Sequence, residues 1–338
     1  MNLWLKSLRR IAYWVLPIVL LLIIFHYIDL TQLKHNLLTT NPWILALGLF
    51  VYPITTIIGA VRWNILLSPY NRFDIPLLYT VRHYWIGMAT GYFTPGSIGM
   101  DIYRVIVIGR KFGNYVLNMA VVLIEKFAAL FTCMGLIIIL YPFIVPLSSA
   151  KMIAEIITFA YIAFITVILI IALILLAHHN NWMQQIAIDV EKLVARKLQS
   201  AANRFGFLGP GESISISFRA MIEPVTRPYR LSMLVLLSLA IQIASAIGNH
   251  LLFVAVGYDI DFSINLFLSP VFFFIFLMPI SVAGLGVREA SFIVLYGLFG
   301  VPSETALLVS FYSMAGVLLT NSIGALFIYQ TRKTVTSV

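Results

Sequence analysis

The sequence has few charged residues. Of its 338 residues only 13 are acidic and 22 are basic, so 10% are charged, whereas a soluble globular domain carries about 25% charged residues. Hydrophobic residues make up 61% of the chain. Several apolar runs reach the length of about 20 residues that a helix needs to cross a bilayer. This composition excludes a soluble globular protein and predicts an all-α polytopic membrane protein.

Cysteine and catalytic motifs are also scarce. Cys133 is the single cysteine, which excludes an intramolecular disulfide and argues against a thiolate metal site. The sequence contains no His-Glu-x-x-His helix, no Gly-x-Ser-x-Gly elbow, no Asp-rich metal cluster and no nucleotide-binding P-loop. We therefore expect no metal, no cofactor and no enzymatic activity.

The apolar runs predict about six transmembrane helices and two re-entrant helical hairpins. The spans are predicted at 11–28, 43–67, 114–141, 152–177, 229–256 and 304–330. The regions 75–112 and 263–300 do not fit a complete span, because Gly- and Pro-containing stretches at 94–99 and 279–286 break them. The second region can also cross as two complete spans. Its last piece, 287–300, is short for this, since it covers only about 20 Å as a helix.

The basic residues predict the orientation. With the N-terminus in the cytoplasm and each hairpin returning to its own side, 17 of the 22 Lys and Arg residues fall on cytoplasmic segments, as the positive-inside rule requires. The net charge of +9 is therefore attributed to membrane orientation, and no nucleic acid partner is expected. The segment 178–228 is interpreted as a basic cytoplasmic loop. Both termini are predicted in the cytoplasm of a protein in the cell (inner) membrane.

The order span, broken hairpin, span occurs twice within a single membrane domain, 1–338. The first copy is about 43–141 and the second about 229–330. Because one hairpin enters from the cytoplasm and the other from outside, the copies form an inverted repeat. Paired broken segments in two halves indicate the central site of a transporter. Half-helix N-termini beginning near Asp101 and Val287 favour an anionic group such as a phosphate.

The candidate substrate-binding residues are charged residues at membrane depth and glycines of the two breaks. They are Arg82, Asp101, Arg104, Glu125, Arg288, Glu289, Gly99, Gly284 and Gly286. Arg288 is assigned to a lipid phosphate, because its guanidinium fork matches phosphate oxygens. A structural pair of Arg288 with Glu289 or Glu125 is the alternative. Glu125 is expected to face the interior, towards Arg288 or Arg82, and a role in proton coupling is a hypothesis.

Three further charged residues have open alternatives. Asp101 is either a site residue or a helix N-cap, and Arg104 either belongs to the site or only marks the inner interface. Arg82 is predicted to line a head-group path together with nearby aromatic residues. An ordinary interfacial aromatic belt is the alternative for this segment.

Three motifs resemble the lysylphosphatidylglycerol synthase transmembrane-region family, also called flippase-like domain proteins. The stretch 94–104 is similar to its P-x-x-x-G-D-x-x-R segment, with Gly99, Asp101 and Arg104 in place and Met100 inserted. Val121 to Lys126 resembles its V-x-x-E-R helix. Gly284-Leu285-Gly286-Val287-Arg288-Glu289 reproduces most of its G-G-L-G-V-R-E signature.

The resemblance implies a flippase-type membrane domain that moves an anionic phospholipid or a polyprenyl-phosphate-linked lipid between leaflets. A soluble aminoacyltransferase domain follows in the full-length synthases, and we expect this chain to lack it. Two other functions stay open. One is a non-transporting partner of a lipid or glycan synthase, with 178–228 as its docking surface. The other, less favoured, is a membrane enzyme acting on a lipid phosphate.

Overall fold

A computed structural model describes residues 17–67, 75–94, 98–112, 115–144, 228–278 and 281–336, with Val15 and isolated positions between 154 and 169. In these ranges the chain is helical and contains no β-strand. The helices are α1 (Pro17–Tyr27), α2 (Leu30–Thr39), α3 (Pro42–Leu67), α4 (Leu77–Gly91), α5 (Ile98–Phe112), α6 (Tyr115–Ile144), α7 (Pro228–Ala255), α8 (Phe262–Leu277), α9 (Val287–Gly297) and α10 (Ser303–Thr336).

Four of these helices, α3, α6, α7 and α10, are long and apolar enough to cross a membrane. Many large apolar side chains on them are exposed, as expected where lipid is the solvent. The predicted spans at 43–67, 114–141, 229–256 and 304–330 therefore correspond to helices. The protein is a multi-pass membrane protein. The span predicted at 152–177 lies largely outside the described residues.

The N-terminal region differs from its prediction. Helix α1 ends at Tyr27, and α2 follows it at an angle of 93°. The two helices are long and apolar enough to form a fifth span only when they are counted together as one bent element. Sequence analysis predicted no helix at α2. The helix starts at Asp29, whose carboxylate accepts hydrogen bonds from the backbone N–H groups of Thr31 and Gln32, which satisfies two otherwise free donors.

Each broken region consists of two short helices. Helices α4 and α5 have 15 residues each, or about 22 Å at 1.5 Å per residue. Helix α8 has 16 residues and α9 only 11. None of them covers the hydrocarbon core of about 30 Å alone. The predicted interruption at 279–286 falls between α8 and α9. The one predicted at 94–99 starts between α4 and α5 and overlaps the first two residues of α5.

Helices α3 and α7 pack side by side in opposite directions. At one end, the backbone N–H of Asn41 donates to the carbonyl of Ala255 at 2.7 Å. At the other end, Arg62 Nη1 donates to Ser238 Oγ at 2.8 Å. Between them the two chains approach closely at glycines, since a Cβ on Gly48 would lie 3.4 Å from the Gly248 carbonyl oxygen. We call this interface the α3–α7 seam.

Contacts between helices of the two predicted copies occur in corresponding pairs. Here α3, α4, α5 and α6 of the first copy correspond to α7, α8, α9 and α10 of the second. Helix α4 packs on α10, and its counterpart α8 packs on α6. Helix α3 packs on α10, and α7 packs on α6. The contacts of α5 with α6 and of α9 with α10 correspond in the same way. Two similar copies that run in opposite directions on either side of the α3–α7 seam would make contacts of this kind.

Each half also has its own apolar core. Trp63, Tyr84 and Ile108 belong to the core of the first half. Phe267, Phe292 and Tyr296 belong to the core of the second half. The interruptions of the two broken regions lie between these cores, where they line a shared cavity.

Candidate functional site

The second interruption has an irregular backbone just before the start of α9. Ala283, Gly284 and Gly286 have positive φ angles of 55°, 74° and 75°, which glycine adopts readily and alanine rarely. The Gly286 N–H donates to Glu289 Oε2 at 2.6 Å. A Cβ on Gly286 would lie 3.0 Å from the Pro17 carbonyl oxygen. Helix α1 thus packs directly over this turn.

Arg288 is the second residue of α9 and is almost completely buried, with 7% of its surface exposed. Its guanidinium lies over the Phe276 ring at 5.2 Å. Its Nε and Nη1 atoms are buried and have no hydrogen-bond partner. Among the described residues, no carboxylate forms an ion pair with it. The expected alternatives, pairs with Glu289 or Glu125, are not formed.

A cavity of about 110 Å³ lies beside Arg288, between the two interruptions. We call it the tip cavity. The first broken region contributes Tyr92, Thr94 and Met100, and the second contributes Ser281, Ala283, Gly284, Val287 and Arg288. Asn321 of α10 also lines it, and both polar atoms of its side chain are buried without a partner. The cavity therefore presents a guanidinium and an amide that lack hydrogen-bond partners.

Arg288 also lines a second cavity of about 210 Å³, which we call the polar cavity. Its polar lining comes from α3, α7, α8 and α10. These side chains are Tyr52, Gln242, Ser245, Asn249, Ser269 and Ser313. Arg288 is the one charged residue among those that line the two cavities. Both cavities thus meet at a single buried cation.

The other charged candidates form an ion network that ties α3, α5 and α6 together. Glu125 accepts from Arg62 at 2.8 Å and from Arg104 at 2.5 Å. Asp101 pairs with Arg104 at 2.6 Å and with Lys126 at 2.8 Å. Arg104 also lies over the Tyr84 ring at 5.0 Å. Three cations and two carboxylates leave one net positive charge, which is shared among bonded groups.

The ion network corrects several predictions. Glu125 was expected to face Arg288 or Arg82, and this was wrong, because Arg62 and Arg104 occupy both of its oxygens. Arg62 was not among the predicted site residues, but it is buried in α3 and belongs to the network. Arg104 does more than mark the interface, since only 3% of it is exposed.

The first interruption also differs in detail from its prediction. Helix α5 begins at Ile98, so Asp101 lies inside its first turn and is not the N-cap. The N–H of Gly99 donates instead to Thr94 Oγ1 at 2.8 Å. Arg82 lies over the Phe327 ring at 5.8 Å and is not among the residues that line the tip cavity. Of the charged candidates, only Arg288 lines the tip cavity. Glu289 lies beside it at the start of α9, with one oxygen bonded to the Gly286 N–H.

One comparison with known protein families agrees with a membrane protein. The model of the family described as "Lysylphosphatidylglycerol synthase TM region" matches residues 10–319. The chain belongs to this family. No curated protein and no solved structure matches it. The match covers both broken regions and all ten described helices, in α10 as far as Leu319, and the family description names a membrane region.

Sequence reasoning about this member of the lysylphosphatidylglycerol synthase transmembrane-region family missed one group of residues. Ser238, Gln242, Ser245 and Asn249 follow one another at intervals of four, three and four along α7, which places them on one helix face. Three of them are buried. Polar residues at helical spacing inside an apolar span were the signal that could have indicated an internal polar face.

In the described parts of this family member, no group of three or more His, Cys, Asp and Glu side chains is placed to hold a metal ion. His178 and His179 and the basic segment 178–228 lie outside the described residues. The candidate site therefore consists of Arg288, its two cavities and the turn of Gly284 and Gly286.

Proposed function

We propose that the protein is a lipid translocase, either a flippase or a scramblase. It moves an anionic phospholipid or a lipid-linked precursor between leaflets, with the phosphate held by Arg288 where the two broken regions meet. The observation that carries the proposal is the buried Arg288 side chain, whose Nε and Nη1 atoms have no hydrogen-bond partner. A buried charge without a partner is strongly unfavourable. An anionic ligand removes this cost.

The position of Arg288 favours phosphate. The guanidinium carries donors in a planar fork that matches phosphate oxygens. The first backbone N–H groups of α9 add positive potential at the same place, as helix N-termini do. Asn321 supplies an amide whose polar atoms have no partner. Together they form a site for one anionic group.

An apolar cavity next to the tip cavity supports a lipid as the carrier of this anionic group. Its volume is about 520 Å³, and side chains of α6, α8 and α9 line it together with Met278, Phe159 and one carboxylate, that of Glu155. Ile275 and Met278 line both this apolar cavity and the tip cavity. A lipid with its phosphate at Arg288 therefore has space for an acyl or prenyl chain across these two residues.

The helix arrangement supports movement between leaflets. The opposite directions of α3 and α7 and the exchange of helix contacts fit an inverted repeat with two re-entrant hairpins and about six spans. Transporters of this construction hold substrate near the middle of the bilayer, between the two copies. We propose that the protein lies in the cell (inner) membrane with both termini in the cytoplasm, as the basic residues indicate.

Reconstitution into liposomes tests the proposal. Labelled phosphatidic acid, phosphatidylglycerol, phosphatidylcholine and a short polyprenyl phosphate would be followed between leaflets for wild type, Arg288→Ala and Arg288→Lys. Arg110→Ala is the matched control, because Arg110 is exposed at the end of α5. Wild type should exchange an anionic lipid. Arg288→Ala should slow this exchange at least about tenfold, since a charged hydrogen bond contributes about 1.5–3 kcal/mol.

The outcomes separate the hypotheses. Lipid exchange that is lost in the Arg288→Ala variant and kept in the Arg110→Ala variant supports the translocase function and its site. No exchange of any lipid, with or without an imposed proton gradient, overturns the proposal. The role of partner to a lipid or glycan synthase would then be tested by deleting 178–228 and by searching for a co-purifying synthase.

A further inference from the structure

Glu289 is a carboxylate that is completely buried and only partly satisfied. It is the third residue of α9, and none of its surface is exposed. Its Oε2 accepts a hydrogen bond from the Gly286 N–H at 2.6 Å. Its Oε1 is also buried but has no hydrogen-bond partner, and no cation among the described residues forms an ion pair with it. The charge of Glu289 is therefore not compensated as that of Glu125 is, whose two oxygens are bonded to two arginines.

Opposing influences act on the charge of this carboxylate. Burial and an oxygen without a partner favour the protonated, neutral form. The Gly286 N–H and the free N–H groups at the start of α9 favour the ionised form. Arg288 favours it too by its charge, although adjacent side chains on a helix point in different directions and do not face each other. Because these influences oppose one another, a further charge that arrives at Arg288 can change the protonation of Glu289.

Few other titratable groups surround Arg288 and Glu289 in the described parts of the chain. Tyr92 of α4 lies within electrostatic range of both residues, and its buried hydroxyl has no partner. Side chains that do not titrate complete the surroundings, namely Pro17 and Leu20 of α1, Phe276 of α8 and Asn321 of α10. Arg288 and Glu289 are thus the two opposite charges of this site.

Charge balance couples these two residues. Without a ligand, the Arg288 cation and the ionised Glu289 sum to zero. A lipid phosphodiester at Arg288 adds one negative charge, so that two anions share one cation in a low-dielectric site, which is unfavourable. A proton that adds to the Glu289 carboxylate restores neutrality, and no other covalent bond changes. The empty site and the loaded site are then both neutral, and neither carries a net charge into the bilayer.

We propose that Glu289 binds a proton when an anionic lipid phosphate binds Arg288, and that the protein carries the lipid and the proton together across the bilayer. This inference rests on the proposed translocase function and names its energy source, a proton gradient. Coupling between two binding events is reciprocal, so the bound phosphate favours the proton as much as the bound proton favours the phosphate. Glu289 loses its proton when the lipid leaves Arg288 on the other side.

Proton uptake on binding tests the coupling without any transport. The detergent-purified protein, in a weakly buffered solution with a pH indicator, would be titrated with short-chain phosphatidylglycerol, whose phosphodiester keeps its single negative charge over the pH range used. Wild type should take up about one proton for each lipid that it binds, and its affinity for the lipid should fall as the pH rises. Lipid binding without proton uptake would overturn the inference.

The Glu289→Gln variant separates proton binding from a purely structural role. The amide has the shape of the protonated acid, and its oxygen can accept the hydrogen bond from the Gly286 N–H, so the start of α9 is kept. Lipid binding by this variant should show no proton uptake and no dependence of affinity on pH. Asp259→Asn, which changes an exposed carboxylate, is the matched control and should behave as wild type. Proton uptake by Glu289→Gln equal to that of wild type would assign the proton to another group and contradict the inference.

A pH gradient across liposomes tests the coupling during transport. A trace of labelled phosphatidylglycerol in phosphatidylcholine vesicles would be followed between leaflets, with the membrane potential clamped by valinomycin and equal K⁺ concentrations. With a gradient of about one pH unit, one-to-one coupling predicts up to about a tenfold enrichment of the label in the leaflet on the alkaline side. Asp259→Asn should enrich the label as wild type does, and Glu289→Gln should not enrich it.

The outcomes distinguish this inference from the translocase function. Exchange that depends on Arg288 but shows neither enrichment nor proton uptake leaves the translocase intact and overturns only the coupling. Enrichment on the acidic side would mean that lipid and proton move in opposite directions, which also overturns the inference. Absence of exchange under every condition overturns the translocase, and the coupling with it.

Discussion

Two buried arginines of this chain have opposite environments. Arg104 bonds to Glu125 and Asp101 and lies over aromatic rings, so its charge is compensated within the protein. Arg288 has no such carboxylate among the described residues, and two of its nitrogens lack partners. The first arrangement stabilises the fold, and the second leaves binding energy for a ligand. This contrast indicates a structural role for Glu125 and supports the binding role proposed for Arg288.

Glu125→Gln should destabilise the protein strongly. The substitution leaves Arg62 and Arg104 buried with their positive charges no longer balanced by this carboxylate. Removal of one partner of a buried ion pair costs about 3–5 kcal/mol. Thermal unfolding of the detergent-purified protein should show a clearly lowered midpoint.

The matched control for Glu125→Gln is Asp259→Asn, at an exposed loop position between α7 and α8. This change should leave the unfolding midpoint within experimental error. An unchanged midpoint for Glu125→Gln itself would show that the ion network contributes little. That result would also remove the argument against proton coupling at Glu125, which is that its carboxylate is bonded to two arginines.

Gly286→Ala should destabilise the turn before α9. Its φ of 75° costs a residue with a Cβ about 1–2 kcal/mol, and the new Cβ would contact Pro17 and Leu20 of α1. Gly297→Ala is the control, since nothing lies within 4 Å of a Cβ there. The unfolding midpoint should fall for the first variant only. Equal midpoints would indicate that α1 does not pack against this turn.

Sequence reasoning could identify charged residues at membrane depth but not their partners. Arg288 and Glu125 stand out because charges are rare in apolar runs. Helical periodicity gives the face on which a side chain lies, but not which helix covers that face. The pairing of Glu125 with Arg62 joins residues from α6 and α3 across the first half, and it depends on packing that one sequence does not specify.

At the level of helices, the interruptions were predictable because Gly and Pro mark them directly. The lengths of α4, α5, α8 and α9 follow from the spacing between these breaks. Helix α2 was missed, since its ten residues are too few and too polar to suggest a span, and its start depends on the cap at Asp29. The polar face of α7 was missed because four polar residues in an apolar span do not lower its hydropathy much.

Cysteine accessibility tests whether the first broken region re-enters. In a Cys133→Ser background, Thr94→Cys should react slowly with a bulky membrane-impermeant maleimide added from either side, because Thr94 is half-buried and lines the tip cavity. Asp259→Cys, in an exposed loop, should react rapidly and serves as the control. Reaction of Thr94→Cys as fast as that of Asp259→Cys would mean that α4 and α5 cross the bilayer and expose their connection.

At the level of the whole molecule, the basic residues predict the direction of the chain in the membrane. A reporter that is active only in the cytoplasm should work when fused after residue 338. It should be inactive when inserted after Asp259, which is predicted to lie outside. The measurement is reporter activity normalised to expression. Activity at both positions, or the reverse pattern, would contradict the orientation derived from the positive-inside rule.

The α3–α7 seam has a consequence for how the protein is made. Helix α3 leaves the ribosome long before α7, and chains generally fold from the N-terminus as they are synthesised. Until α7 is inserted in the opposite direction, Gly48 has no neighbouring glycine, Arg62 lacks Ser238, and Asn41 has no carbonyl of Ala255 to bind. The contacts that complete the first copy therefore form only when the second copy is inserted. A nascent chain arrested before α7 would carry an unfinished interface that a chaperone or protease can recognise.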